Sequence, residues 1–214
     1  MQIDNKLNAK VYVFSPFQEN TYILFDDHKR AVVIDPGMEN PHEEKKFSDF
    51  LTVNGLTLEK VLLTHAHIDH IFGLNYVVDK YNVPVVMHRD SIAVLNAVPE
   101  YAKVYGFDIH IGEYRIEEVD EGDEIEFGLE VLHIPGHVPG HLVFYHPQQA
   151  EAWVGDVLFY MSIGRTDLPG GNHRLLITGI KEKLFELPDN VKIYSGHGPV
   201  TSIGFEKVNN PFLA

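Results

Sequence analysis

His65-Ala66-His67-Ile68-Asp69-His70 sets three imidazoles and a carboxylate between the apolar run Val61-Leu62-Leu63 and the segment Gly73-Leu74-Asn75-Tyr76-Val77-Val78. The apolar run reads as a buried strand, and the segment beyond it as a helix. A polar run wedged between the two restricts the chain to folds in which a strand end opens onto a helix start. That is where α/β proteins build their sites. Imidazole nitrogen and carboxylate oxygen are the preferred protein ligands of zinc and related divalent metals. The cluster is expected to hold metal.

The rest of the chain supplies the frame. Strand-like runs cover Lys10 to Ser15, Asn20 to Phe25 and Ala31 to Ile34, with a polar turn at residues 26–30 and a sharp stop at Asp35-Pro36-Gly37. Glu43 to Leu51 has helical spacing, with Phe47, Phe50 and Leu51 on one face. A helix to about Tyr81 follows the His-rich turn, then a strand from Val83 to His88, and Asp90-Ser91 is expected to cap a helix from Ile92 towards Ala97. The aromatic-rich stretch from Pro99 to Glu118 reads as a flap or insertion beside the site, packed by Tyr101, Tyr105 and Phe107, with a lid as their alternative role. A hairpin around Gly128, strands at Leu142 to Tyr145 and Ala152 to Val154, a helix from Arg174 to Phe185, a strand at Lys192 to Tyr194 and a short tail complete the reading. Strands grouped with helices in each half predict an α/β protein: two sheets face to face with helices outside, a four-layer α/β/β/α sandwich forming one domain over residues 1–214.

Three further patches offer donors. Pro135-Gly136-His137-Val138-Pro139-Gly140-His141 follows one strand, Gly155-Asp156 closes another, and Ser195-Gly196-His197-Gly198-Pro199 closes a third. If those strands share a sheet edge, His65, His67, Asp69, His70, His137, Asp156 and His197 converge. These are too many for one four-coordinate zinc and suit two metals, with Asp156 as the natural bridge because a carboxylate can give one oxygen to each ion. His141 is expected to orient a ligand by hydrogen bonding. His28, His42, His88, His110, His133 and His146 are expected to bind no metal. His173, beside Gly170-Gly171-Asn172, is a weaker candidate for substrate contact.

Composition removes several functions. The chain carries 17 basic and 31 acidic residues, a formal charge of −14 that repels a phosphate backbone, so no nucleic-acid partner is expected. Cysteine is absent, which excludes disulfides, thiolate catalysis and thiolate ligation. Met1 to Lys6 shows no basic-then-apolar leader, and no apolar run reaches membrane-spanning length, so a soluble cytoplasmic protein without membrane contact is expected.

Taken in chain order, the His65–His70 turn, His137, Asp156 and His197 resemble the metallo-β-lactamase fold superfamily over essentially the whole chain, and Asp35-Pro36-Gly37 matches a recurrent turn of that fold. The resemblance implies one ion on His65, His67 and His137, another on Asp69, His70 and His197, and Asp156 on both. Glu19-Asn20-Thr21-Tyr22, the Pro135–His141 loop and Gly164-Arg165-Thr166-Asp167 look most like the glyoxalase II group, in a short stand-alone form without the C-terminal helical domain that supplies glutathione contacts. It implies a hydrolase of thioesters or esters, of the hydroxyacylglutathione hydrolase type, acting through a hydroxide that bridges two divalent transition metal ions. Zinc is the expected metal, with iron or manganese as alternatives. Asp69 would bind metal and steer the nucleophile's proton, and Arg165 would meet a substrate carboxylate. A mononuclear-iron persulfide dioxygenase and a lactonase are the alternatives within the same resemblance. The cysteine-ligated β-lactamases are excluded, and His67 stands where the flavodiiron group has glutamate.

Overall fold

Alternation along the strands decides the layering. In the computed structural model, which describes residues 6–213, Tyr22 and Leu24 pack with Val131, Phe144 and Trp153, whereas the intervening Ile23 packs with Phe47 and Leu51. Successive strand residues face opposite ways, so each strand feeds two cores. Met1 to Asn5, where no leader is expected, lie outside the described residues.

The first sheet contains β1 (Asn8–Phe14), β2 (Glu19–Phe25), β3 (Arg30–Ile34), β4 (Thr57–Leu62), β5 (Val85–Met87) and β6 (Ile116–Glu118), in that spatial order. Its pairing is antiparallel as far as β3 and parallel beyond. The other strands are β7 (Glu124–Ile125), β8 (Leu129–His133), β9 (Leu142–His146), β10 (Glu151–Gly155), β11 (Leu158–Phe159), β12 (Ser162–Ile163), β13 (Lys192–Ser195) and β14 (Thr201–Ser202). They form a second sheet ordered β14-β13-β10-β9-β8-β7, with β11-β12 as a separate hairpin. Only β10 and β13 run parallel in that sheet.

The helices are α1 (Pro41–Asn54), α2 (Ile68–Ile71), α3 (Leu74–Tyr81), α4 (Ser91–Ala102), α5 (His173–Glu182) and α6 (Ile203–Asn209). One core lies between the first sheet and residues of α1, α3 and α4, a second lies between the two sheets, and a third joins the second sheet to Leu176, Ile180 and Ile203 of α5 and α6. The four-layer expectation therefore holds. Covering both faces explains why β9 and β10 read as apolar along almost their whole length.

Four local expectations change. Helix α1 gains a turn at its start because the Asn40 side chain accepts from the backbone N–H groups of His42 and Glu43, and Gly55 closes its other end in the left-handed region. Asp90 does not cap α4: it has helical dihedrals and no capping bond, and Ser91 Oγ instead donates to Gly140 O at 2.9 Å. Helix α4 then continues through Pro99 to Ala102, held by the buried face of Leu95, Val98 and Ala102, so the expected flap dissolves into a helix end, a turn and β6. The tail is also structured as β14 and α6. Its buried Glu206 accepts from Thr201 Oγ1 at 2.5 Å, Met161 N at 3.0 Å and Asn210 Nδ2 at 2.8 Å. No helix among the described residues is long and apolar enough to cross a membrane.

Candidate metal centre

The His-rich turn leaves the end of β4, His137 lies beyond β8, Asp156 follows β10, and His197 lies two residues past β13. The two sheets present these ends side by side. Gly196 makes the close approach possible: a Cβ there would collide with Asp156 Oδ1 and with the His70 ring. Gly155, at φ +48°, turns the chain so that Asp156 points inward.

The donors form two groups. Ligand atoms of His65, His67 and His137 lie within 4.8 Å of one another, as do those of Asp69, His70 and His197. Asp156 lies between the groups. Its Oδ2 is 3.6 Å from His137 Nε2, while its Oδ1 is 3.4 Å from His70 Nε2 and 3.7 Å from His197 Nε2. Asp69 Oδ2 is 3.1 Å from His197 Nε2 and 3.9 Å from His70 Nε2. All seven side chains singled out as donors thus share one place.

Hydrogen bonding behind the rings fixes which nitrogen faces inward. A carbonyl oxygen can only accept, so His137 Nδ1 donates to Arg165 O at 2.7 Å, and His197 Nδ1 donates to Gln18 O at 3.3 Å. Asp35 Oδ2 accepts from His70 Nδ1 at 2.9 Å and from Thr64 Oγ1 at 2.5 Å. The Thr64 hydroxyl, its proton spent, accepts from His65 Nδ1 at 3.1 Å. Four histidines therefore turn Nε2 towards the interior. His67 is reversed and aims Nδ1 at His137 Nε2, 2.9 Å away.

The charges suit cations. Burial holds His65 well below the usual imidazole range and pulls His67 down to about 3, so that group is neutral. For His70 burial acts the same way, but Asp156, Asp69 and Asp35 outweigh it and raise its pKa. Burial opposes ionisation of Asp156, yet the surrounding histidines, His70 foremost, hold it below the usual carboxylate range. His65 Nε2, His70 Nε2 and Asp156 Oδ1 are buried with no hydrogen-bond partner. Leaving such atoms unpaired is costly, and converging imidazole nitrogens and carboxylate oxygens are what a metal ion satisfies. The residues fit a pair of metals.

Other candidates lie further out. His141 stacks on His65 with centroids 4.6 Å apart, and its Nε2 accepts from Asp156 N at 3.1 Å, orienting two of the donors. Arg165 is exposed and binds Asp167 through both carboxylate oxygens at 2.7 Å, while its backbone carbonyl holds His137. His173 is exposed at the start of α5 and lines neither of the clefts described below. His88, Asp90 and His133 make another close grouping, but His88 Nδ1 accepts from Asp90 N at 3.1 Å, so its proton sits on Nε2, 3.4 Å from Asp120 Oδ1, and no lone pair is left for a metal.

Sequence reasoning missed Asp35 and Thr64 as the brace behind two imidazoles. Asp35 was legible only as a turn residue, since nothing local tells a strand-stopping aspartate from one aimed at a distant histidine. It also missed Tyr101 and Tyr105 as cleft residues. Both, with His67, line a cavity of about 560 Å³ along α4, whereas Phe107 packs on Phe17 and Phe72 as expected. A smaller cavity of about 350 Å³ opens beside His197.

Comparison with known proteins adds an independent line. The model of the metallo-beta-lactamase superfamily matches residues 14–197. Hydroxyacylglutathione hydrolase GloC of Haemophilus influenzae is 35% identical over 212 residues, covering 97% of this chain and 98% of its own. The crystal structure of the BLEG-1 B3 metallo-beta-lactamase superposes with a TM-score of 0.89 at 37% identity, over 97% of this chain and 100% of that one. TTHA1623, solved in a di-iron-bound form, gives 0.87 at 36% identity, over 95% and 100%.

Proposed function

The chain belongs to the metallo-β-lactamase superfamily and is a metal-dependent hydrolase of that kind, and from this premise we propose that it cleaves thioesters of the hydroxyacylglutathione type. One zinc ion would be held by His65, His67 and His137, the other by Asp69, His70 and His197, with Asp156 on both. The observation that carries the reading is Asp156 itself, whose two oxygens face different histidine groups. When bound, such ions make water acidic enough to attack near neutral pH, lowering its pKa from about 15.7 towards about 7, and polarise the acyl carbonyl.

The residues of the chain do the rest. Asp69, kept ionised by His70 and His197 against the cost of burial, is placed to take the proton of the attacking water and return it to the departing sulfur. Water oxygen bonds to the acyl carbon, the carbon–sulfur bond breaks, and a carboxylate and a thiol leave, the second proton of the water passing to solvent. Asp35, Thr64 and the Arg165 carbonyl hold three of the imidazoles with Nε2 facing the reacting groups. No serine or cysteine nucleophile is needed, in keeping with a chain that has no cysteine. We assign Arg165 contact with the carboxylate of an anionic substrate, in competition with Asp167.

Metal analysis by mass spectrometry, run beside turnover of S-lactoylglutathione, a neutral ester, a lactone, a β-lactam and a persulfide, tests the reading. The expected result is two transition metals per chain, thioester as the preferred substrate, and activity lost to chelator and regained with zinc, manganese or iron. One iron per chain with oxygen uptake on glutathione persulfide overturns it in favour of a dioxygenase. The similarity to a protein titled a B3 metallo-β-lactamase is the reason for the β-lactam arm.

A further inference from the structure

Two clefts reach the metal centre, one from each side. The one at His197 is small and lined by Phe17, Gln18 and Asn20 among others. The one at His67 is larger, and its wall is built from Ala93, Val94, Ala97, Tyr101, Leu168 and Pro169. Ala93 and Ala97 are one helical turn apart on α4, both exposed, so two of its smallest side chains face the opening. No lysine or arginine lines this cleft. The two cations that border it in sequence are each occupied, Lys103 by Glu100 at 3.8 Å and Arg165 by Asp167.

Resting on the thioester reading above, but replacing its hydroxyacyl group with an unsubstituted one, we propose that the α4 cleft receives the acyl group, and that it selects acyl groups that are apolar and uncharged. Glutathione and other biological thiol carriers are polar and ionised. Moving them into an apolar wall without partners forfeits their hydration, whereas an alkyl or aryl acyl chain gains by leaving water. The acyl chain is the part of a thioester that can be wholly apolar. An anionic acyl group meets no counter-charge among the described residues that line this cleft. Ala93 and Ala97 are the specificity-determining residues, because anything larger on that face fills the space.

The test is a series of N-acetylcysteamine thioesters assayed with the metal-loaded full chain. From acetyl to hexanoyl, kcat/KM is expected to rise about three- to fourfold per methylene, roughly a hundredfold in all. The succinyl thioester is expected to fall at least about tenfold below the butanoyl one. Ala97→Phe should flatten the series, bringing the hexanoyl-to-acetyl ratio close to one, and Ala93→Leu should shorten the chain length at which the rise stops. A second series holds the acyl group as acetyl and lengthens an alkyl thiol. A gradient that follows the thiol, or a flat acyl series, overturns the proposal while leaving the hydrolase reading intact. If no thioester of any length is turned over, the thioester reading falls and calorimetry decides the cleft. S-hexyl-N-acetylcysteamine, a thioether, must then bind at least about tenfold tighter than the S-ethyl compound and lose that advantage in Ala97→Phe, or the cleft assignment falls too.

Discussion

The two halves of the molecule contribute to the same centre in different ways. The first half delivers His65, His67, Asp69 and His70 from one turn between β4 and α3. The second delivers His137, Asp156 and His197 from beyond three different strands, β8, β10 and β13. A contiguous turn places its donors by local geometry. The scattered donors depend on two parallel neighbours, β10 and β13, on the Gly155–Gly196 contact and on the register of a whole sheet. The difference teaches that the second half holds the proposed bridge, Asp156, at the greater structural cost, and that its weak points are residues that offer no donor.

Replacing the bridge tests this contrast most severely. Asp156→Ala should empty both metal positions and lower kcat/KM by about a thousandfold or more, some 4 kcal/mol. His67→Ala, in the contiguous turn, should lose most activity while leaving the group around Asp69, His70 and His197 able to bind. Equal metal loss in the two variants, measured by mass spectrometry, would break the contrast. Gly196→Ala removes no donor, yet its Cβ must displace Asp156 Oδ1 or the His70 ring. A misplacement of this kind should cost about a hundredfold in turnover, and full activity would show that the second half is more forgiving than its geometry suggests.

Asp35→Asn probes the brace behind the first half. It leaves the size unchanged but removes the charge that accepts from His70 and Thr64, and should weaken metal affinity by roughly ten- to a hundredfold in a competition titration. The smallest effect is expected at the exposed Arg165–Asp167 pair, since such pairs contribute little. Arg165→Ala should raise KM about threefold for an anionic thioester and leave that for a neutral ester unchanged, and Asp167→Asn should lower KM for the anionic one by freeing the guanidinium. If both variants act alike on both substrates, the pair only steadies the loop that carries the carbonyl for His137.

How much of this was legible follows the same division. The His65–His70 cluster announces itself, and glycine beside His137, Asp156 and His197 marks them as donors on tight strand ends. Burial on both faces made the strands apolar and therefore easy to find, as at Leu142–His146. Helix α4 was cut short because proline is a poor helix residue on average, and only the packing of Val98 and Ala102 under the sheet overrides that. The end of the chain read as a tail because α6 is short and its anchor, Glu206, is a charged residue whose partners lie elsewhere in the fold. The apolar cleft was invisible for a similar reason: Ala93 and Ala97 carry no chemistry until Leu168 and Pro169 stand opposite them.

Residue order alone dictates the donor chemistry, the count of donors and the apolar alternation that demands two covered sheets, since these depend on side-chain type and on spacing along a strand or helix. Tertiary packing decides which oxygen of Asp156 faces which histidines, which ring nitrogen carries each proton and what walls the approach to His67. Those are relations between segments as far apart as Asn20 and Gly196, set by sheet register and by hydrogen bonds across the sandwich.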